Sequence, residues 1–338
     1  MNLTAALSGK KLSGNRSMDI ELLRERADII RTVRAFFDER QYLETDTPLL
    51  APDLIPESCL EVFRTERIMP PDSRQKSRPY WLIPSPEIWM KRLIARHGQS
   101  CYQICKCFRN GESSGRFHSP EFTMLEYYTM NADYMDSLKI TEDLFDFIGT
   151  KKYINSCVCA PLLKLTMEEA FAKYAGFSLY DTAACNEVME SEARRLGLDP
   201  APGLDIPQLY DLIFIHAVEP ALPKDRPVAL IDYPAFVPCL AKKNADGKTT
   251  ERWELYICGI ELANCFTEET NPAEIKRFFE SEKARKEKNA LVPHDIDPDY
   301  CDLFDDSQKF SGVAMGLDRL IMVLLGRSTI DGILPFPI

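Results

Sequence analysis

Two β-rich runs, 101–109 and 121–128, are joined by a polar, glycine-containing loop, 110–120, and read as a hairpin with a long connection. Three further β-rich stretches follow at 227–233, 252–258 and 260–266. A short strand at 312–315 runs into a helical stretch at 317–325. Helical patterns are interspersed among these hairpins, without a strict βαβ alternation. The arrangement predicts an α+β fold with an antiparallel sheet flanked by helices.

The helical patterns are of three kinds. From Met18, the series Ile20, Leu23, Ala27, Ile30, Val33 or Arg34, and Phe37 recurs at near-helical spacing with charge on the other face, which predicts a long amphipathic helix. Residues 137–220 read as mainly helical around a hinge-like 197–203, and 272–289 reads as a charged helix. No interdomain linker or repeat stands out. The expected organisation is a flexible tail over 1–17 and one catalytic-sized domain over 18–338.

Composition narrows the class. The 338 residues carry 41 Lys+Arg against 52 Asp+Glu, a net charge of −11, which argues against bulk nucleic-acid binding. The longest apolar run, 320–325, is bracketed by Arg319 and Gly326, far short of the roughly 20 residues a membrane span needs. A soluble chain is expected. Eleven cysteines without a CxxC pair or zinc-spaced histidine read as reduced thiols, which points to the cytoplasm. One segment is locally basic: 64–78 holds five basic residues against two acidic ones. It is either a solvated loop or a docking surface for an anionic partner.

Three constellations carry chemistry. In the first, Arg109 ends one strand and Phe122 opens its partner, so the loop between them can close on a flat anion; Arg donates two parallel hydrogen bonds to phosphate, and an aromatic ring can stack on a base. Phe122, Met124, Glu126 and Tyr128 then share one strand face, either a pocket for a cationic substrate or an exposed polar face. In the second, Glu254, Glu261 and Glu268 recur at intervals of seven. Strict alternation would separate Glu254 from Glu261, so a shared Mg²⁺ site needs a bulge, which Gly259 could supply. In the third, Gly312, Ala314, Gly316 and Arg319 lie at a strand-to-helix junction, where an arginine in the first turn opposes the helix dipole.

Together these segments resemble class II aminoacyl-tRNA synthetases. Phe108-Arg109 with His118-Ser119-Pro120-Glu121-Phe122 is similar to their motif 2, residues 312–319 to motif 3, and the helix ending near 42–48 to motif 1, the dimer element. Ser85-Pro86-Glu87, 123–128 and 259–264 resemble the lysyl-tRNA synthetase branch. Only some 17 residues precede the motif 1 helix, where those synthetases carry an anticodon-reading domain. The chain therefore looks most like the elongation factor P–(R)-β-lysine ligase family, lysyl-tRNA synthetase paralogues in which Ala314 stands where the synthetases have glycine.

The resemblance implies ATP-dependent activation of (R)-β-lysine or lysine as an adenylate, and its transfer to a lysine side chain of elongation factor P. It implies a homodimer with ATP and Mg²⁺ and no need of tRNA. By position, Arg109 and Arg319 would be catalytic on the α- and γ-phosphates. Asn110, Glu112, His118, Ser119, Phe122, Glu261, Leu262 and Gly316 would complete the ATP site. Ser85, Pro86, Glu87, Glu126, Tyr128, Asn264, Glu268 and Ala314 would form the amino-acid pocket, and Glu254 with Glu261 would face the metal. The pattern departs from the synthetases at Gly111 and Glu112, at Ser119 and at Cys265. A truncated lysyl-tRNA synthetase and a non-catalytic, synthetase-like regulatory module remain as alternative readings.

Overall fold

Helix α1 (Ile20–Glu39) begins where the Asp19 carboxylate accepts the Glu21 and Leu22 N–H groups at 3.0 and 3.3 Å, a capping arrangement that satisfies otherwise orphaned donors. Its inward stripe is Leu22, Ile29, Val33, Phe36 and Phe37. The predicted helix is present, but its apolar face is turned from the expected one: Ile20 is 57% exposed. Phe36 and Phe37 pull the face round because large aromatics bury the most area. The computed structural model describes residues 19–111, 115–151 and 154–336, so the expected tail over 1–17 lies outside the described residues.

In chain order the strands are β1 (Leu43–Glu44), β2 (Leu50–Ala51), β3 (Arg64–Ile68), β4 (Ser77–Leu82), β5 (Cys101–Phe108), β6 (Glu121–Met130), β7 (Leu163–Thr166), β8 (Val228–Pro234), β9 (Thr249–Ile257), β10 (Ile260–Thr267) and β11 (Phe310–Gly316). The further helices are α2 (Glu87–His97), α3 (Tyr134–Lys151), α4 (Ser156–Cys159), α5 (Met167–Tyr174), α6 (Leu179–Thr182), α7 (Asn186–Arg195), α8 (Ile206–Ile213), α9 (Pro272–Asn289) and α10 (Leu317–Leu324). Short 3₁₀ and π turns lie between some of them.

Eight strands form one sheet in the order β1-β5-β6-β11-β10-β9-β8-β7. The inner pairings are antiparallel, as expected; only the outermost pairs, β1 with β5 and β7 with β8, run parallel. Strand β7 falls in the stretch read as helical, because four residues are too few to set a period.

Parity along the central strands assigns the two faces. Leu125, Tyr127, Trp253, Leu255, Ala263, Cys265, Val313 and Met315 point into the main core, which α1, α3 and α10 complete. Trp253 donates its indole N–H to the Tyr134 carbonyl at 2.5 Å, so its polar edge is satisfied inside that core. The alternate residues face the other way, onto the site. Helices α5 to α8 pack as a second cluster against β8, and α2 with α9 form a third against Tyr128 and Phe310.

Segment 64–78 is a correction: its two ends are strands, paired as the β3–β4 hairpin in a small sheet of order β2-β4-β3, and only 69–76 between them is loop. Its alternation of Arg, Glu and Thr carries no apolar face for a sequence to reveal. Every residue of β3 is exposed.

Candidate active site

The floor of the site is one row across four strands. Glu254 pairs with Asn264, Asn264 with Ala314, and Ala314 with Glu126. The next row pairs Arg252, Phe266, Gly312 and Tyr128. Phe122, Met124, Glu126 and Tyr128 do share a face, as alternation predicted. Over this floor opens a cavity of about 1290 Å³, above the roughly 300–1,000 Å³ of ordinary ligand pockets and roomy enough for two ligands at once.

Both arginines reach this one cavity. Arg109 leaves the end of β5, where its N–H bonds the Pro120 carbonyl at 3.0 Å and closes the neck of the 110–120 loop; its guanidinium lies 5.3 Å from the centre of the Phe122 ring. Arg319 donates from Nε to the Phe117 carbonyl at 3.1 Å and from Nη1 to the Glu261 carbonyl at 2.9 Å. Those bonds hold a cation in the first turn of α10 despite the adverse dipole. Asp318 beside it accepts the Thr123 N–H at 2.6 Å and Arg26 at 3.0 Å, locking α10 to β6 and α1.

His118, Ser119, Phe122, Leu262 and Gly316 line the same space. The buried Ser119 hydroxyl has no hydrogen-bond partner among the described residues, which suits a wall completed by a polar ligand. Asn110 does not line the cavity. Its side chain donates to the Val62 carbonyl and accepts from Gly111, which ties the loop to the chain ahead of β3. Glu112 lies outside the described residues.

The amino-acid candidates form two layers. Glu87, Asn264 and Ala314 line the cavity; Ser85, Pro86, Glu126, Tyr128 and Glu268 sit behind them. Both Glu126 oxygens accept hydroxyl protons, from Ser85 at 2.6 Å and Tyr128 at 2.7 Å. Sequence reasoning missed Lys91, one turn into α2 from Glu87. Its buried ammonium pairs with Glu87 and, at 2.5 Å, with Glu268. Burial alone would lower the Lys91 pKa, but Glu268 and Glu87 hold it above the ordinary value. The Lys91 and Glu87 positions stand four apart in a helix, the one available signal.

Two carboxylates, Glu87 and Glu268, thus share one resident ammonium, with Glu126 close by on hydroxyl partners. Burial, with the neighbouring Glu87 charge, pushes Glu126 up to about 7. Burial outweighs Lys91 at Glu268 and pushes it to about 8. Gly312 permits the crowding: a Cβ there would meet Tyr128 Cε1 at 2.4 Å and Glu268 Oε1 at 2.6 Å.

Glu254 and Glu261 do meet on one face, through a bulge, but Gly259 does not supply it. Cys258 and Gly259, at φ 55° and 73°, make the tight β9–β10 turn, and the register slips further on, between Glu261 and Ala263. Burial and the Glu254 charge push Glu261 up to about 7 against the pull of Arg319 and Arg109. Glu254 accepts from Arg252 at 2.6 Å and from Tyr256 at 2.8 Å. No group of three metal-ligating side chains occurs among the described residues. The two carboxylates fit Mg²⁺ in the manner usual for that ion, in which one or two carboxylates share it with substrate phosphates and water.

The family described as tRNA synthetases class II (D, K and N) matches residues 10–338. Among similar proteins, the elongation factor P–(R)-β-lysine ligase of Avibacterium paragallinarum is 36% identical over 321 residues, 94% of this chain and 96% of that protein. The ligase of the same name from Vibrio parahaemolyticus is 35% identical over 322 residues, with the same coverage. That of Pasteurella multocida is 35% identical over 324 residues, 95% of this chain and 96% of that protein. Extent and identity together leave one conclusion: the chain belongs to the class II tRNA synthetases, within the group of elongation factor P–(R)-β-lysine ligases.

Proposed function

We propose that this chain activates (R)-β-lysine with ATP and transfers the acyl group to a lysine side chain of elongation factor P. The observation that carries the reading is the opening of both Arg109 and Arg319 onto one cavity whose floor leads into a carboxylate-rich pocket. In the first step the substrate carboxylate attacks the α-phosphorus in line, and pyrophosphate leaves. No protein nucleophile is required, so positioning and charge stabilisation do the work. Arg109 holds the α-phosphate and Arg319 the γ-phosphate; Phe122 stacks on adenine, with His118, Ser119, Leu262 and Gly316 around the nucleotide. Bound Mg²⁺, held by Glu254 and Glu261, would neutralise phosphate charge. Glu87, Asn264, Glu126, Glu268, Tyr128 and Ser85 receive the diamino acid, whose ammonium groups join Lys91 among the carboxylates.

Residues 18–338 act as the catalytic domain, and the chain works as a homodimer through the segment after α1, where Leu43, Leu49 and Leu50 are 55%, 37% and 45% exposed. It acts in the cytoplasm, in keeping with eleven free cysteines. Among the described residues no helix is long and apolar enough to cross a membrane. The acceptor docks on the basic β3–β4 hairpin, which follows the cavity-lining residues Glu57 and Leu60 along the chain.

The test supplies ATP, (R)-β-lysine or α-lysine, and either elongation factor P or tRNA. Exchange of pyrophosphate into ATP that depends on (R)-β-lysine, with label appearing on the protein, is expected. Arg319→Ala should slow exchange about 10²-fold or more while leaving the melting temperature near wild type. Label on tRNA alone, or wild-type exchange in that variant, defeats the reading.

A further inference from the structure

The second half-reaction leaves a chemical problem that the residues above do not solve. A lysine amine with a pKa of about 10.4 is neutral only about once in 10³ to 10⁴ molecules at pH 7, and only the neutral amine attacks. The carboxylates near the two phosphate-binding arginines are already engaged. Glu87 and Glu268 hold Lys91, Glu126 holds two hydroxyls, Glu254 holds Arg252, and Glu261 faces Arg319 at 3.9 Å.

Glu57 is different. It lines the cavity, and its carboxylate makes no hydrogen bond or ion pair among the described residues. The backbone places it with care. Glu61 bridges Asn110, with the Asn110 N–H on the Glu61 carbonyl at 2.9 Å, so 57–61 is strapped to the residue after Arg109. On the other side the Ser58 N–H bonds Glu282 of α9 at 2.8 Å, and Lys286 of α9 donates to the Leu60 carbonyl at 2.8 Å. The Glu61 carboxylate also accepts the Leu291 and Val292 N–H groups. A segment clamped at this many points fixes the backbone that carries the Glu57 carboxylate.

The surroundings match a proton acceptor. The charged groups facing Glu57 are Glu87 and Lys91 of α2, Arg109 at the end of β5, and Lys286 of α9. Glu57 therefore lies within electrostatic reach of both the phosphate-binding Arg109 and Glu87 on the amino-acid side. The cavity mouth beside it is walled by exposed residues, Ser281, Ala284 and Lys288 of α9 on one side and Gly203, Asp205 and Gln208 on the other. A long lysine side chain entering there reaches the cavity that Glu57 lines.

We propose that Glu57 is the general base of acyl transfer, taking a proton from the ammonium of the acceptor lysine. This rests on the ligase reading of the site. The Glu57 carboxylate removes one proton from R–NH₃⁺ and becomes a carboxylic acid. The nitrogen lone pair then forms the C–N bond at the adenylate carbonyl. The C–O bond to phosphate breaks with its electron pair, releasing AMP, and the second nitrogen proton passes to water as the intermediate collapses. Burial, with the Glu87 charge, pushes the Glu57 pKa to about 7, close to the value that best serves a base at neutral pH.

The test compares Glu57→Gln and wild type with two acceptors, elongation factor P and hydroxylamine. Hydroxylamine is already neutral at pH 7 and needs no base. Transfer to the protein should fall about 10²-fold relative to hydroxamate formation, and raising the pH to 9 should restore most of the loss. The wild-type transfer rate should rise through an inflection near pH 7 that the variant lacks, and Glu57→Asp should recover part of it. A variant that keeps the wild-type ratio of transfer to hydroxamate overturns the assignment, as does an unchanged pH profile. Absence of hydroxamate in the wild-type enzyme would instead defeat the ligase reading itself.

Discussion

Ala314 is the smallest side chain in its row, between Asn264 on β10 and Glu126 on β6, and its methyl faces the cavity. One methyl in a pocket of this kind changes discrimination by roughly 1 to 3 kcal/mol. Ala314→Gly should therefore shift the preference between (R)-β-lysine and α-lysine about tenfold or more, towards the isomer that needs the extra room. Pyrophosphate exchange with each isomer measures it, and an unchanged ratio of kcat/KM values would remove Ala314 from the specificity pocket. Two residues earlier no such freedom exists. Gly312 supports Tyr128 and Glu268 at distances no Cβ tolerates, so a side chain there would displace two pocket residues together.

At the scale of elements, the pocket is where α2 brings Glu87 and Lys91 onto the β6–β11–β10 floor, and its titration follows from that burial. Glu126 and Glu268 sit at about 7 and about 8. Between pH 5 and 8 the free protein therefore carries protons that a bound dication expels. Binding of lysine or its β-isomer should release protons near pH 7, and affinity should rise until both groups are ionised above about pH 8. Calorimetry in two buffers of different ionisation enthalpy reads the release; equal heats in both would contradict the charge assignment. The linked stability has the opposite slope. Carboxyls whose folded pKa is raised bind more protons in the native state, so their contribution is present below about pH 4.5 and is lost as the pH rises through 7 to 8. The ligand-induced rise in melting temperature should be larger at pH 8 than at pH 6.

The same elements show what a sequence can disclose. Strand parity was enough to place Phe122, Met124, Glu126 and Tyr128 on one face, and charged composition marked α9 (Pro272–Asn289) from end to end. The need for a bulge between Glu254 and Glu261 was also legible. Its place was not, because Gly259 serves the turn and Leu262, with no special backbone demand, takes the slip. Lys91 was hidden for a different reason. A lysine in an amphipathic helix ordinarily points to water, and only the tertiary meeting of α2 with Glu268 turns it inward. An exposed polar strand such as β3 carries no periodic signal at all.

For the whole molecule, the charge distribution runs against its sum. The chain carries −11, yet hairpin 64–78 carries five basic residues against two acidic ones, and Arg285 and Lys288 line the cavity from α9. The two basic regions are joined mechanically: Glu61, just ahead of β3, accepts the N–H groups of Leu291 and Val292 beyond α9. Within the hairpin Arg64 pairs with Glu66, while Arg74 and Lys76 sit exposed near its tip. Like charges gathered in one exposed hairpin repel one another, so a partner with acidic side chains around its target lysine relieves them on docking. Such surfaces act chiefly on encounter and orientation and are screened over about 8 Å at physiological salt. Reversing Arg67, Arg74 and Lys76 to glutamate together should raise KM for the protein acceptor about tenfold at low salt, with the difference narrowing as salt is added. The hydroxylamine reaction, which needs no docking, reports the adenylate formed by the same variant. A KM for elongation factor P that matches wild type at every salt concentration would show that the acceptor approaches from elsewhere.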